Sequence, residues 1–237
     1  KEVKSQKMKT ELITNMSHDL KTPLTAIITY VDLLKLEKDE EKRKEYIQIL
    51  EKKSLRLKVL IEDLFEISKA TTNNVTMNFN QVDIVNLLKQ VRFEMEDKLN
   101  ASGLDFRWSL PEEKVILTLD SQKTYRVFSN LLTNIVKYAL PRSRVYIDLK
   151  CMDGGQVVVT MKNISAAELN FDPREITERF VRGDLSRNTE GSGLGLAIAR
   201  DLTQLQRGTF ALTIDGDLFK ATLTFPRCQK SQDPAGK

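Results

Sequence analysis

The chain has 237 residues, 41% of them hydrophobic and 30% charged, which suits one large or two modest packed domains rich in helix. Its 37 basic and 33 acidic side chains are mixed along the sequence and sum to +4, so no basic block points to nucleic acid. Cys151 and Cys228 lack metal-ligand spacing and read as free thiols of a reducing compartment, and no signal peptide or bilayer-length apolar run is present.

Lys1–Lys7 reads as mid-helix, as expected of a piece of a longer protein. A helical pattern continues to about Leu36. Leu12, Met16, Leu20, Leu24, Ile27, Val31 and Leu34 recur at three- and four-residue steps and form its apolar stripe. His18, the single histidine of the chain, falls beside that stripe. A neutral imidazole offers one nitrogen lone pair to an electrophile, while its other nitrogen carries a proton that a carboxylate can hold. Asp19 is placed to hold it. Thr22, one turn on, can orient a water towards a group carried by the ring. Pro23 removes a backbone donor and should bend the helix just past the histidine.

A charged turn, Glu37–Lys42, precedes a second helix from about Lys42 to Ala70. Tyr46, Ile49, Leu50, Leu57, Leu60, Ile61, Leu64, Phe65 and Ile67 make its stripe. Helices of about 30 residues are about 45 Å long. Two in a hairpin cannot bury both stripes alone, so the expectation is a homodimer forming an antiparallel four-helix bundle. Residues 1–70 are then one domain. Thr71-Thr72-Asn73-Asn74 are poor helix formers and read as a linker and hinge.

Residues 75–228 mix strand and helix patterns, and 229–237 read as a disordered tail. Val75–Phe79 alternates like a strand. Asp83 is a plausible cap for a helix to about Ala101. Asp105–Leu110 and Val115–Leu119 read as strands, and Asp120 caps a helix to about Tyr138. Strands follow at Val145–Cys151 and Gln156–Lys162. The last helix runs from about Gly193 to Gln206. Thr209–Ile214 and Ala221–Phe225 flank the turn signal Asp215-Gly216-Asp217. The fold class is α+β: a helical hairpin, then an α/β sandwich with a mostly antiparallel sheet and helices on one face.

Three stretches of this domain carry chemistry. Asn130 and Asn134 are four apart on one helix face, with Lys137 and Tyr138 one turn further. Amide oxygens suit a hard cation such as magnesium that also bridges phosphates, and Lys137 can offset phosphate charge. Glu190–Ile198 holds Gly191, Gly193 and Gly195 in alternation, with Leu194 among them, and opens an apolar helix. Its backbone can approach phosphates closely and presents free N–H groups. Thr177–Asp184 sets Phe180 as an apolar anchor among Arg179, Arg182 and, further on, Arg187, whose guanidinium groups can pair with phosphates.

Ser17-His18-Asp19-Leu20-Lys21-Thr22-Pro23-Leu24 resembles the H-box of sensor histidine kinases. In chain order, Asn130–Tyr138 is similar to their N-box, Thr177–Arg187 to the F-box and ATP lid, and Glu190–Ile198 to the G2 box. The resemblance implies a dimerisation domain followed by a Bergerat-type ATP-binding domain. It implies His18 as phosphoacceptor, Asn134 as magnesium ligand, and Asn130, Lys137, Tyr138, Phe180, Arg182, Arg187, Gly191, Gly193, Leu194 and Gly195 near ATP. It further implies phosphoryl transfer to an aspartate of a response regulator receiver domain, Thr22-assisted phosphatase activity, and a parent protein in the cell membrane whose cytoplasmic portion this is.

One motif departs from the family. Where the G1 box reads Asp-x-Gly-x-Gly, this chain has Asn163-Ile164-Ser165-Ala166-Ala167, and Arg207-Gly208 stands where a Gly-Gly pair is common. Asn163 still offers a carbonyl oxygen to the adenine amino group, uncharged and so a weaker acceptor. A second reading follows from that departure: a kinase-impaired phosphatase or docking scaffold. A third is another Bergerat ATPase, of the gyrase, mismatch-repair or chaperone type.

Overall fold

The computed structural model describes residues 2–71, 76–169 and 194–226, with side chains in the first stretch from 17 onward except 18, 63 and 66–71. The chain divides into two compact units at Val75/Thr76. The linker residues 72–74 and the expected tail at 229–237 lie outside the described residues.

The first unit is a hairpin of α1 (Glu2–Leu36) and α2 (Glu40–Thr71). Helix continues through Pro23, which is buried. The turn between the helices is shorter than the charged stretch suggested, and side chains close it. Asp39 Oδ1 accepts from the backbone N–H groups of Glu41 and Lys42 at 2.9 and 3.3 Å, capping α2. Arg43 Nη1 donates to the carbonyls of Leu34 and Glu37 at 3.0 and 3.1 Å, closing the free end of α1. Tyr30 and Tyr46 meet at 5.5 Å between ring centres and set the register of the two helices. Leu60 is fully covered inside the hairpin, while Leu24, Ile28, Val31, Ile47, Ile61 and Phe65 are left exposed on this chain.

The second unit begins differently from the expectation. Residues 76–79 form no strand, and β1 is Asn80–Asp83. The reason is a side-chain tie: Asn78 N–H donates to Asp120 Oδ2 at 2.9 Å, so a carboxylate takes the bond a neighbouring strand would have made. Asp83 caps α3 (Ile84–Glu94) through Val85 N and Asn86 N. The single helix expected to Ala101 is two, because the chain leaves helical geometry at Met95 before α4 (Glu96–Ala101). β1 pairs antiparallel with β3 (Ile116–Leu119) in a separate two-stranded sheet.

The main sheet has five strands in the order β2-β4-β5-β7-β6: β2 (Asp105–Ser109), β4 (Arg144–Cys151), β5 (Val157–Ile164), β6 (Thr209–Asp215) and β7 (Leu218–Phe225). β2 runs parallel to β4 and the other pairs are antiparallel. Alternation buries one face only: Val145, Ile147, Val157, Val159, Met161, Ala221 and Leu223 point inward. Against that face lie α5 (Ser121–Tyr138), with Val127, Phe128, Leu131 and Leu132 inward, and α6 (Gly195–Leu205), with Leu196, Ile198 and Leu202 inward.

A buried polar knot pins these two helices. Gln206, 1% exposed, accepts at Oε1 from Asp120 N–H and Thr124 Oγ1, both at 2.9 Å, and donates through Nε2 to Leu202 O at 3.1 Å. Asp120 also caps α5 through Lys123 N. Gln206→Ala strands the Asp120 N–H in the core, while the Thr124 hydroxyl keeps the Asp120 carbonyl as its acceptor at 2.8 Å. At about 1–3 kcal/mol for a group left unpaired, it should cost about 1–3 kcal/mol in urea denaturation. A loss below about 0.5 kcal/mol would show the knot to be dispensable.

Candidate functional site

His18 stands in α1 one turn before Thr22, with its side chain outside the described residues. Asp19 is half-buried and Thr22 exposed. Residues four apart on a helix share a face, so Thr22 and His18 are neighbours on α1. Pro23 has no N–H to donate to the Asp19 carbonyl four residues earlier, so α1 continues past the histidine without that one backbone bond.

In the second unit the structure brings three separate stretches together. Asn130, in the middle of α5, donates through Nδ2 to Gly195 O at 3.3 Å, at the start of α6. Leu194 is fully buried just before α6, and among the described residues no side chain caps that helix. Its first N–H groups are therefore available to an anion. Asn134, Lys137 and Tyr138 follow on α5 and are half-buried. Lys137 Nζ donates to Tyr138 Oη at 2.8 Å and lies 4.6 Å from that ring's centre.

The third stretch is Asn163–Ala167. Its backbone is tied to the end of α5: Ala166 N–H donates to Tyr138 O and Leu140 N–H to Ile164 O, each at 2.8 Å. Asn163 falls on the inward face of β5, in step with Val157, Val159 and Met161, and is 3% exposed. Its Nδ2 donates to Ile164 O at 3.1 Å, while its Oδ1 is buried with no hydrogen-bond partner among the described residues. An amide oxygen left unpaired in a core is costly, so a native protein retains one where a donor arrives from elsewhere. The orphaned oxygen is thus a fit for an exocyclic amino group. Ser165, where the family has a glycine, makes its own turn: its Oγ accepts from Ala167 N–H at 3.3 Å.

Phe180, Arg182, Arg187, Gly191 and Gly193 lie outside the described residues. Among the described residues no cluster of three or more His, Cys, Asp or Glu converges. A metal held here would rely on amide oxygens and phosphates, and Asn134 is of the right donor type. Sequence reading missed the backbone ties of Tyr138, Leu140 and Ser165 to one another's segments. Nothing local signals them, because they join α5 to β5 across many residues.

A histidine-bearing helical hairpin followed by a one-sided sheet with an uncapped helix facing Asn130 defines a phosphoacceptor domain joined to an ATPase lobe. Family comparison agrees in both parts. Residues 8–73 match the His Kinase A phospho-acceptor domain, and residues 119–229 match the histidine kinase-, DNA gyrase B- and HSP90-like ATPase. The sensor protein VanSC of Enterococcus gallinarum is 33% identical over 202 residues, covering 84% of this chain and 55% of that protein. The chain of histidine kinase ThkA solved in complex with response regulator TrrA superposes with a TM-score of 0.71 at 18% identity, covering 98% of this chain and 66% of that one. ShkA, solved with AMPPNP, gives 0.67 at 23% identity, covering 92% of this chain and 46% of that one. The chain belongs to the sensor histidine kinases and spans about half the length of the curated relatives it matches. The phospho-acceptor match sets it apart from gyrase-, repair- and chaperone-type ATPases.

The two glycines near this site differ in what they tolerate. A Cβ on Gly195 would meet only Asn130, at 3.9 Å, whereas one on Gly208 would meet Thr203 Cγ2 and Thr224 O at 2.9 Å. Gly195→Ala should therefore keep the thermal midpoint, and Gly208→Ala should lower stability by about 1–3 kcal/mol. Equal midpoints for both variants would contradict this packing.

Proposed function

We propose that this chain is the core of an ATP-dependent protein-histidine kinase that phosphorylates its own His18. The strongest support is the Asn130–Gly195 bond, which places the N-box-like and G2-box-like stretches side by side in a chain that also carries a phosphoacceptor hairpin. Asn163 Oδ1 accepts from the adenine amino group. The free N–H groups of α6 face the phosphates, and Lys137, released from Tyr138, offsets their charge. Magnesium, when bound through Asn134, supplies charge neutralisation between the phosphates. The AMPPNP complex of ShkA supports ATP as the nucleotide.

At the hairpin, one ring nitrogen of His18 attacks the γ-phosphorus of ATP. A P–N bond forms, the bond to the bridging oxygen breaks, and ADP leaves. Asp19 holds the proton on the other ring nitrogen, which fixes the tautomer and raises nucleophilicity. Such transfer depends mainly on positioning and charge neutralisation. A receiver-domain aspartate then attacks the phosphorus, and the P–N bond breaks. The ThkA–TrrA complex supports a response regulator as that partner. In the reverse function, Thr22 orients a water towards the phosphoaspartate.

The hairpin acts as a homodimer. Leu24, Ile28 and Val31 on α1 and Ile47, Ile61 and Phe65 on α2 form one apolar flank, and a second copy covers it in a four-helix bundle. No described helix is long and apolar enough to cross a membrane. The parent protein belongs in the cell membrane, as the resemblance of its motifs to sensor histidine kinases implies.

With γ-labelled ATP the wild type should acquire acid-labile, alkali-stable label and His18→Ala none. Undiminished labelling of His18→Ala would end the assignment. Asn163→Ala should weaken ATP binding about 5- to 10-fold in calorimetry, the worth of one neutral hydrogen bond of about 1 kcal/mol. Unchanged affinity would remove Asn163 from the adenine site.

A further inference from the structure

β6 ends the main sheet, with β7 as its one described neighbour. Its seven residues, Thr209–Asp215, pair with Leu218–Thr224 in unbroken register. Free edges usually carry a lysine, a proline, a bulge or a very short strand that discourages further pairing. β6 has none of these. β2, at the opposite edge, has five residues, carries the exposed Asp105–Arg107 ion pair and stops before Pro111. The sheet is guarded on one side only.

The groups that β6 presents at its free edge follow from its turn. Gly216-Asp217 is a two-residue turn, with Gly216 at φ 56°, so Asp215 and Leu218 are a hydrogen-bonded pair. Bonded and non-bonded pairs alternate along an antiparallel ladder. Thr213, Ala211 and Thr209 therefore also turn their backbone groups to β7, while Phe210, Leu212 and Ile214 turn theirs outward. The side chains of these three are half-buried, whereas those opposite on β7, Leu223, Ala221 and Phe219, are buried. The apolar face of the sheet is thus only half covered along this edge.

We propose that β6 pairs antiparallel with β6 of a second copy, about a two-fold axis at Ala211, and so joins the two ATPase lobes of the homodimer through one continuous sheet. In that register the outward N–H and C=O groups of Phe210 meet those of Leu212 from the second copy. Thr209 faces Thr213, and the small Ala211 faces itself where the strands approach most closely. At both ends the exposed Arg207 of one copy comes level with the exposed Asp215 of the other. No like charges stand opposite one another. The edge is therefore self-complementary, as a two-fold interface requires. A strand pair of this size is marginal by itself in water. The paired hairpins make it intramolecular and raise its effective concentration. The inference thus rests on the homodimer proposed above. The 11-residue α6, about 16 Å long, separates Gly195 from Arg207, so the joined edge leaves the nucleotide side open.

The test uses the whole chain with Cys151→Ser and Cys228→Ser, and one new cysteine at a time. In the proposed register two Ala211→Cys residues face each other at about 4.5 Å between Cα atoms, within disulfide range. Two Thr213→Cys residues are offset by four positions, about 13 Å. Under oxidised glutathione, Ala211→Cys should form a linked dimer on a non-reducing gel at least 10-fold faster than Thr213→Cys, at a rate independent of protein concentration. Adding Asp215→Arg, which sets like charges opposite Arg207, should slow that linkage at least 5-fold, and adding Arg207→Asp as well should restore it. Equal rates for the two cysteine positions would overturn the inference, as would a rate that rises with concentration or a charge swap that restores nothing. Each of these would leave the homodimer intact. A monomer by light scattering would instead remove the dimer reading, and the inference with it.

Discussion

The Gln206 amide is the tie on which the geometry of the nucleotide side depends. It holds the first turn of α5 against the last turn of α6. The helices therefore run antiparallel, and the Asn130 amide meets Gly195 O at their other junction. A helix pair pinned at both points cannot slide, so the uncapped start of α6 stays beside the asparagines of α5. The Gln206 bonds lie in a water-excluded core, where each partner is expensive to strand. The same Asp120 that meets Gln206 also holds Asn78 N–H. The first residues of the second unit are thus fastened to the helix that carries the site.

Asn163 shows how a departure from a family motif is accommodated. Strand alternation carries it to the inward face of β5, where its neighbours in step are Val157, Val159 and Met161. A carboxylate there would be a buried charge with no described cation beside it, and would be penalised while no ligand is bound. The neutral amide spends its N–H on Ile164 O and keeps its oxygen unpaired. The exchange gives up acceptor strength and gains stability of the empty lobe. Ser165 compensates for an absent glycine in another way, by building the turn with its own hydroxyl. At the Arg207-Gly208 pair, Arg207 takes a left-handed conformation, φ 63°, while Gly208 supplies the close approach to Thr203 and Thr224 that no side chain permits. Of the two positions, the second is the one whose packing demands glycine.

Much of this was legible in the sequence. The caps Asp83 and Asp120 were readable because a short carboxylate before an apolar-periodic run has few other uses. The span of α5 and the hairpin turn at Asp215–Asp217 were readable for similar local reasons. Residues 76–79 were misread because alternation alone cannot report that a distant carboxylate will take the strand's bond. The break at Met95 escaped because nothing there is a helix breaker. The parallel pairing of β2 with β4, and the withdrawal of β3 into its own sheet with β1, are choices among strand partners that period-two patterns leave open.

The amino-acid sequence by itself determined the chemistry on offer: one histidine with a carboxylate and a hydroxyl in helical reach, amides four apart on one face, and glycines before an apolar helix. These are matters of residue type and short-range period, and both survive without long-range information. Only the tertiary structure decided which groups meet. It set Asn130 against Gly195 and drew the Asn163 segment to the end of α5. Those outcomes come from hydrogen bonds between residues far apart in the chain, such as Gln206 with Thr124, whose partners no local pattern specifies.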